Sequence, residues 1–210
     1  MGPASRRKAE RRLPPPAVTV RPMADGDLAA ATELSEGTLE PFSPEKWADH
    51  LQSPTPETRF ARGLVAESDG EVIGVAVGTG LSLNLEGLSV PVQTIMRRMV
   101  LLDFLAVRAD RRGEGLGRRL AEAFLDRYRA EGHRAALANI APARDDLVSL
   151  YRHWGWHVGA PAAGLGIQIG SDAVLINEKP VRTAWLPLVP EVRPSLTVVP
   201  GALVVTGIFD

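Results

Sequence analysis

The chain has 210 residues, 45% hydrophobic and 23% charged, the proportions of one ordinary globular domain with a sizeable core. A formal net charge of -1 supplies no overall field to recruit nucleic acid. There is no cysteine, which excludes a disulfide framework, a thiolate nucleophile and a cysteine–zinc site, and which fits a cytoplasmic protein.

Residues 1–16 are basic and then proline-rich, without the apolar centre of a secretory signal, and read as a disordered tail. Arg6, Arg7, Lys8, Arg11 and Arg12 offer at most a weak anionic contact there. No stretch approaches the roughly 18 apolar residues that a membrane helix needs, so no membrane partner is expected. Ala17–Arg21 is β-branched and predicts a strand. Asp25 or Asp27 is expected to cap a helix running to about Gly37, and Ser43-Pro44 to start a second that carries Trp47 and Leu51 on one face. Pro54 and Pro56 end it. Two apolar runs, at 62–68 and 71–79, flank Asp69-Gly70, a strong hairpin signal. Residues 80–95 read either as a loop or as an extension of that hairpin.

Residues 98–107 are almost continuously apolar, the pattern of a central strand covered on both faces, with Asp103 as the charge near its middle. Asp103, Leu105 and Val107 are expected to share one face of it. Leu116, Leu120, Phe124 and Tyr128 recur every four residues and predict a helix to about Glu131, ended by Gly132. A strand at 135–140 and a helix from about Ala143 to Trp154, stopped by Gly155, follow. Shorter strands are expected near 165–169, 173–177 and 182–188. Helices interspersed among strands give an α/β mixed sheet. Two short apolar runs around Pro200-Gly201 predict a terminal hairpin in residues 191–210, with an edge that a second subunit, as in a homodimer, would cover.

Between the central strand and the following helix lies Arg111-Arg112-Gly113-Glu114-Gly115-Leu116-Gly117. Unpaired amides at a helix start, the positive end of the helix dipole and small residues that allow close approach together suit a phosphate or pyrophosphate. Arg118 and Arg119 add positive charge. The turn is neither a P-loop nor a dinucleotide fingerprint, because no Gly-Lys-Ser/Thr follows and the glycine spacing does not fit. Arg112, Gly115 and Gly117 instead fill Arg-x-x-Gly-x-Gly, which resembles the acyl-CoA motif of the GNAT acyltransferase superfamily. The segment SLYRHWGW at 149–156 is similar to that superfamily's Leu-Tyr-x-x-x-Gly-aromatic segment, and the opening TVRPMADGDLAAATEL resembles its first strand and helix. The resemblance covers residues 17–190.

It implies a GNAT-like acyl-CoA N-acyltransferase fold with splayed central strands. It implies acetyl-CoA as co-substrate and a primary amine, on a small molecule or a peptide, as acceptor. Arg112, Gly113, Glu114, Gly115, Leu116, Gly117 and Arg118 would hold the pyrophosphate, and the backbone of Leu105, Ala106 and Val107 the pantetheine arm, with Asn139 beside it. Acyl transfer needs a neutral amine, and a proton for the departing thiolate. Tyr151 is the candidate acid, weighed against a core tyrosine packed beside Leu147 and Trp154, and Asp103 the candidate base, weighed against a carboxylate hydrogen-bonded for structure or a strand-end charge. Phe42, Glu45 and Trp47 are candidates for the acceptor side, with packing the simpler account of Trp47. His50, His133, His153 and His157 are too scattered for a metal site, and no metal is expected. A CoA-binding regulatory module without turnover is the alternative.

Overall fold

The structure, a computed structural model, describes residues 17–39, 41–52, 61–80, 89–90, 93, 97–169, 172–175, 180–196, 199 and 201–208. The expected tail at 1–16, Pro54, Pro56 and most of the ambiguous segment 80–95 lie outside the described residues. Asp69 and Gly70 both take positive φ, 53° and 80°, and form the tight turn that Asp-Gly favours between β2 (Arg62–Ser68) and β3 (Glu71–Gly80). β1 (Thr19–Pro22) pairs antiparallel with β2, and β4 (Met99–Val107) antiparallel with β3. β5 (Ala135–Ile140) runs parallel to β4, while β9 (Arg182–Pro187) and β6 (His157–Val158) complete a seven-stranded sheet in the order β1-β2-β3-β4-β5-β9-β6. The apolar run read as a central strand is therefore the fourth of seven.

One face of this sheet carries α3 (Leu116–Ala130) and α4 (Asp145–His153). Gly74 and Gly78 on β3 let α3 lie close. A Cβ at Gly74 would stand 2.9 Å from Leu120, and one at Gly78 would stand 2.3 Å from Phe124 and 2.4 Å from the Leu101 carbonyl. The opposite face is shared. Over β2, β3 and the end of β4, the cluster of Ala31, Phe42, Trp47, Val65, Val77 and Phe104 buries α1 (Leu28–Ser35) and α2 (Pro44–Gln52). The Ser43 hydroxyl accepts the Lys46 N–H at 3.2 Å, as the Ser-Pro start predicts. Asp27 does not cap α1 with its side chain; its carboxylate accepts the Ala24 N–H at 2.8 Å and the Arg21 guanidinium at 2.6 and 2.9 Å.

Over the other half of that face lies a second sheet of four strands, β10-β11-β7-β8. Its strands are β7 (Gly164–Ile169) and β8 (Asp172–Leu175), which intervene between β6 and β9, and the C-terminal β10 (Arg193–Pro194) and β11 (Ala202–Thr206). Leu165, Ile167, Val205 and Ile208 bury Met99, Leu137 and Trp185 of the large sheet. β11 pairs antiparallel with β10 and parallel with β7, so both its edges are filled within the chain. The exposed edge that led to an expected second subunit is absent from β11.

A β-bulge interrupts β4. Phe104 pairs with Val77 and Leu102 with Gly78, leaving Asp103 as the extra residue. Val100 and Leu102 belong to the core beneath α3 and α4, Phe104 and Ala106 to the opposite face, and Leu105 and Val107 again to the α3 face. Simple alternation does not carry across Asp103. Period-two spacing therefore does not by itself relate Asp103 to the face of Leu105 and Val107, because the bulge resets the period at Asp103.

Candidate active site

β4 hands the chain to a short 3-10 turn at Ala109–Arg111 and then to the glycine segment. Gly113 and Gly115 have φ of 82° and 78°, in the left-handed region that costs other L-residues about 1–2 kcal/mol. A Cβ at either position would meet nothing within 4 Å, so backbone conformation, not crowding, is what requires glycine there. The first helical bond of α3 runs from Arg119 N–H to Gly115 C=O at 3.0 Å. The amides of Leu116, Gly117 and Arg118 precede it, in the turn where a helix offers them no carbonyl. Arg112 donates from Nε to the Val107 carbonyl at 3.1 Å, tying the turn to the end of β4. Arg111 pairs with Glu114 at 2.9 Å and Arg118 with Glu122 at 2.8 Å. The Arg111 guanidinium holds the Glu114 carboxyl below its usual range. The positive charge around the turn is thus partly balanced, while Arg119 stands exposed beside it.

The parallel ladder between β4 and β5 is short. Its partners run from Met99↔Ala135 to Leu102↔Ala138 and stop there, one residue before the Asp103 bulge. Beyond that point β4 stays paired with β3, and β5 with β9, where Asn139 faces Thr183. The two strands share no further pairs, and Asp103, Leu105, Ala106, Val107 and Asn139 all lie past the end of their ladder. A bulge bends and twists its strand, which accounts for the parting at this residue.

α4 places Tyr151 over the same region. Tyr151 and Leu116 belong to one buried cluster, with Leu105, Val107 and Trp154 packed against it. The helix ends in a Schellman cap: Gly155 takes φ of 87°, its N–H donates to Arg152 C=O, and Trp156 N–H donates to Tyr151 C=O, both at 3.0 Å. The Trp156 ring meets Tyr151 edge-on at 5.1 Å. This is the physical content of the Leu-Tyr-x-x-x-Gly-aromatic pattern: the glycine turns the chain, and the aromatic residue after it folds back on the tyrosine.

α3 ends the same way. Gly132 takes φ of 87°, His133 N–H donates to Tyr128 C=O at 3.0 Å, and the two rings meet edge-on at 5.0 Å. The tyrosines differ at the hydroxyl. Tyr128 donates to the Gly78 carbonyl at 3.1 Å, beside the bulge. The Tyr151 hydroxyl has no hydrogen-bond partner among the described residues. Burial pushes the Tyr151 phenol up to about 12, and no charged group contributes. The repeated Tyr-x-x-x-Gly-aromatic spacing at 128–133 and 151–156 is visible in the sequence, but which hydroxyl is bonded is not.

The model of the acetyltransferase (GNAT) family matches residues 28–156, more than half of the chain. The chain belongs to the GNAT acetyltransferase family. No curated protein sequence is significantly similar to it. Among solved structures it is similar to a GNAT phosphinothricin acetyltransferase from Sinorhizobium meliloti in complex with AcCoA, with 22% identity, a TM-score of 0.59, and coverage of 89% of this chain and 97% of that one. It is similar to yncA from Salmonella typhimurium with its cofactor acetyl-CoA, with 22% identity, a TM-score of 0.58, and coverage of 86% and 99%. A ribosomal-protein-alanine N-acetyltransferase from Brucella melitensis gives 22% identity, a TM-score of 0.54, and coverage of 80% and 96%. At these identities the likeness shows the fold.

In this GNAT acetyltransferase Phe104, next to the bulge, packs with aromatic residues on the α1 and α2 side. Phe42 lies 6.0 Å from Trp47 and 5.8 Å from Phe104, ring centre to ring centre, and all three are buried. Packing accounts for Trp47 and Phe42. The Glu45 carboxylate accepts the Ser43 hydroxyl at 2.8 Å on the exposed start of α2. Among the described residues no helix is long and apolar enough to cross a membrane.

Proposed function

We propose that the chain transfers an acetyl group from acetyl-CoA to a primary amine by direct attack in a ternary complex. The observation that carries the proposal is the contrast between the two capped tyrosines. Tyr128 donates its hydroxyl to the Gly78 carbonyl, whereas the Tyr151 hydroxyl, beside the cofactor turn, has no partner among the described residues. The glycine turn suits a pyrophosphate: Gly113 and Gly115 open the backbone, and the amides of Leu116, Gly117 and Arg118 meet an anion at the positive end of α3. Arg112, Arg118 and Glu114 border it. Leu105, Ala106 and Val107, with Asn139 across the gap, offer backbone to the pantetheine arm where the β4–β5 ladder has ended.

In the reaction the amine nitrogen bonds to the thioester carbon, and the carbon–sulfur bond breaks. Asp103 takes the proton that the amine loses, directly or through water. Tyr151 supplies a proton to the departing sulfur. A phenol at about 12 is a weak acid for a thiolate whose conjugate acid in water lies near 8.5. A thiolate leaving in the same apolar setting has its own basicity raised by the same desolvation, which narrows that gap.

One structural neighbour is named for a ribosomal-protein alanine and another for phosphinothricin. For this chain we propose an amine acceptor, peptide or small molecule, and a cytoplasmic setting in keeping with its lack of cysteine. The test is acetyl transfer to a panel of primary amines by wild type and Tyr151→Phe. Transfer by wild type, reduced about 100-fold or more in the variant, supports the reading. Acetyl-CoA binding without transfer to any amine supports a regulatory CoA-binding module in its place.

A further inference from the structure

Trp154 closes α4 at its C-cap, three residues after Tyr151 and one before the cap glycine. Its backbone is held firmly: its N–H donates to Leu150 C=O at 3.1 Å and Tyr151 C=O at 3.0 Å, and the Schellman bonds of Gly155 and Trp156 close around it. From there the indole reaches the other half of the site. A Cβ on Gly117 would stand 3.5 Å and 3.9 Å from two indole carbons and 3.7 Å from the Val107 side chain. Gly117 lies in the first turn of α3, and Val107 is the last residue of β4. On its other side the indole lies 5.8 Å from the Tyr151 ring, tilted by 40°. The indole therefore lies beside the first turn of α3 and the ring of the candidate acid.

The two tryptophans of the cap are not equivalent. Trp156 is 3% exposed and belongs to the core beneath the sheet, so its contact with Tyr151 is part of general packing. Trp154 is half-buried: it packs against the edge of that same core and lies beside Gly117 and Tyr151. Removing it would trim the edge of that core and take from Tyr151 one of its two ring neighbours.

We propose that Trp154 is a positioning residue whose indole spaces the Tyr151 hydroxyl from the start of α3. This rests on the reading of Tyr151 as the acid and of the glycine turn as the pyrophosphate site. A methyl group at residue 117 would already meet the indole at ordinary contact distance, 3.5 Å, so the same spacer borders the room for a larger side chain there.

The test uses a favourable feature of the sequence: Tyr128 and Tyr151 are its two tyrosines. Phenolate absorbance, followed against pH in the full chain, reports them without substrate. Burial raises both phenols, and the carboxylates of Asp103 and Glu131 act in the same direction on Tyr128 alone, so Tyr151 is expected to ionise first. In Trp154→Ala the first phenol is expected to ionise at clearly lower pH, and the added substitution Tyr151→Phe should remove that phase. Trp154→Phe, which keeps a ring against Gly117, should restore it toward wild type. In transfer assays Trp154→Ala should lower kcat about 100-fold while the KM for acetyl-CoA changes little. If the alanine variant does not fold, as judged by thermal unfolding, Trp154→Leu takes its place in the same titration. An unchanged phenol titration and kcat in a folded Trp154→Ala or Trp154→Leu would overturn the proposal. A wild-type kcat in Tyr151→Phe would instead overturn the acid role itself, with the titration still deciding whether Trp154 controls the surroundings of Tyr151.

Discussion

The Tyr151 and Trp156 rings meet edge-on, 5.1 Å between centres and 75° between planes, across the glycine cap that ends α4. Tyr128 and His133 repeat the arrangement across the cap of α3, at 5.0 Å and 88°. One local device is thus used twice, once to fasten a helix to a strand and once to present a hydroxyl.

The two tyrosine-to-phenylalanine variants should therefore part company. Tyr128→Phe removes the bond to the Gly78 carbonyl and is expected to cost about 1 kcal/mol of stability, with acetyl-CoA binding retained. Tyr151→Phe breaks no hydrogen bond among the described residues, so its unfolding curve should overlay that of wild type while kcat falls about 100-fold or more. Chemical denaturation and steady-state kinetics on both proteins check the pair.

Gly78→Ala should be severely destabilising. The added methyl group would stand 2.3 Å from Phe124 and 2.4 Å from the Leu101 carbonyl, and the carbonyl belongs to the adjoining strand. A cost of about 3 kcal/mol is expected from overpacking of this kind. Gly117→Ala, whose methyl would meet Trp154 at 3.5 Å, should by contrast fold normally. Thermal melts of the two proteins separate the cases.

Asp103→Asn should retain the bulge, which is a backbone feature, and remove the proposed base. The expected outcome is a kcat lowered about 100-fold at neutral pH with little change in acetyl-CoA affinity. Calorimetry on the variant beside its pH–rate profile reads both quantities.

The alkaline behaviour follows from burial. The Tyr151 phenol is raised from 10.0 to about 12 in the folded chain. Between those values the unfolded chain releases the proton and the folded chain keeps it, so this contribution to stability is complete below about pH 10 and is lost as pH rises towards 12. Tyr128 is raised as well and acts in the same direction. Tyr151→Phe should therefore lose less stability than wild type over that window, and ionisation of Tyr151 should impose no fall in kcat below pH 10. Denaturation at stepped pH measures the first effect and a pH–rate profile the second.

Much of this was legible locally. The Asp69-Gly70 hairpin, the Ser43-Pro44 helix start, the four-residue period of α3 and the glycines that end α3 and α4 depend on neighbouring residues, and their elements fall within a residue or two of expectation. The Arg112, Gly115 and Gly117 pattern was equally readable, because the left-handed φ at Gly113 and Gly115 is a local requirement. The Asp103 bulge was not, since it is defined by which residue of β3 faces which residue of β4. The second sheet was only half legible. Its strands near 165 and 203 carry apolar signals, but their parallel pairing joins segments far apart in sequence, and β6 is two residues long. The contact of Trp154 with Gly117 depends on how α4 sits against α3, and no spacing in the sequence reports that.

The central claim, that the glycine turn at the start of α3 holds acetyl-CoA, is tested most directly by calorimetric titration of acetyl-CoA into wild type and into Gly115→Trp. That position has open space around its Cβ direction and a φ of 78°, so the indole would project over the turn. The account predicts saturable binding by wild type and its loss in a folded variant. Absence of binding by well-folded wild type, or equal binding by both proteins, would contradict it.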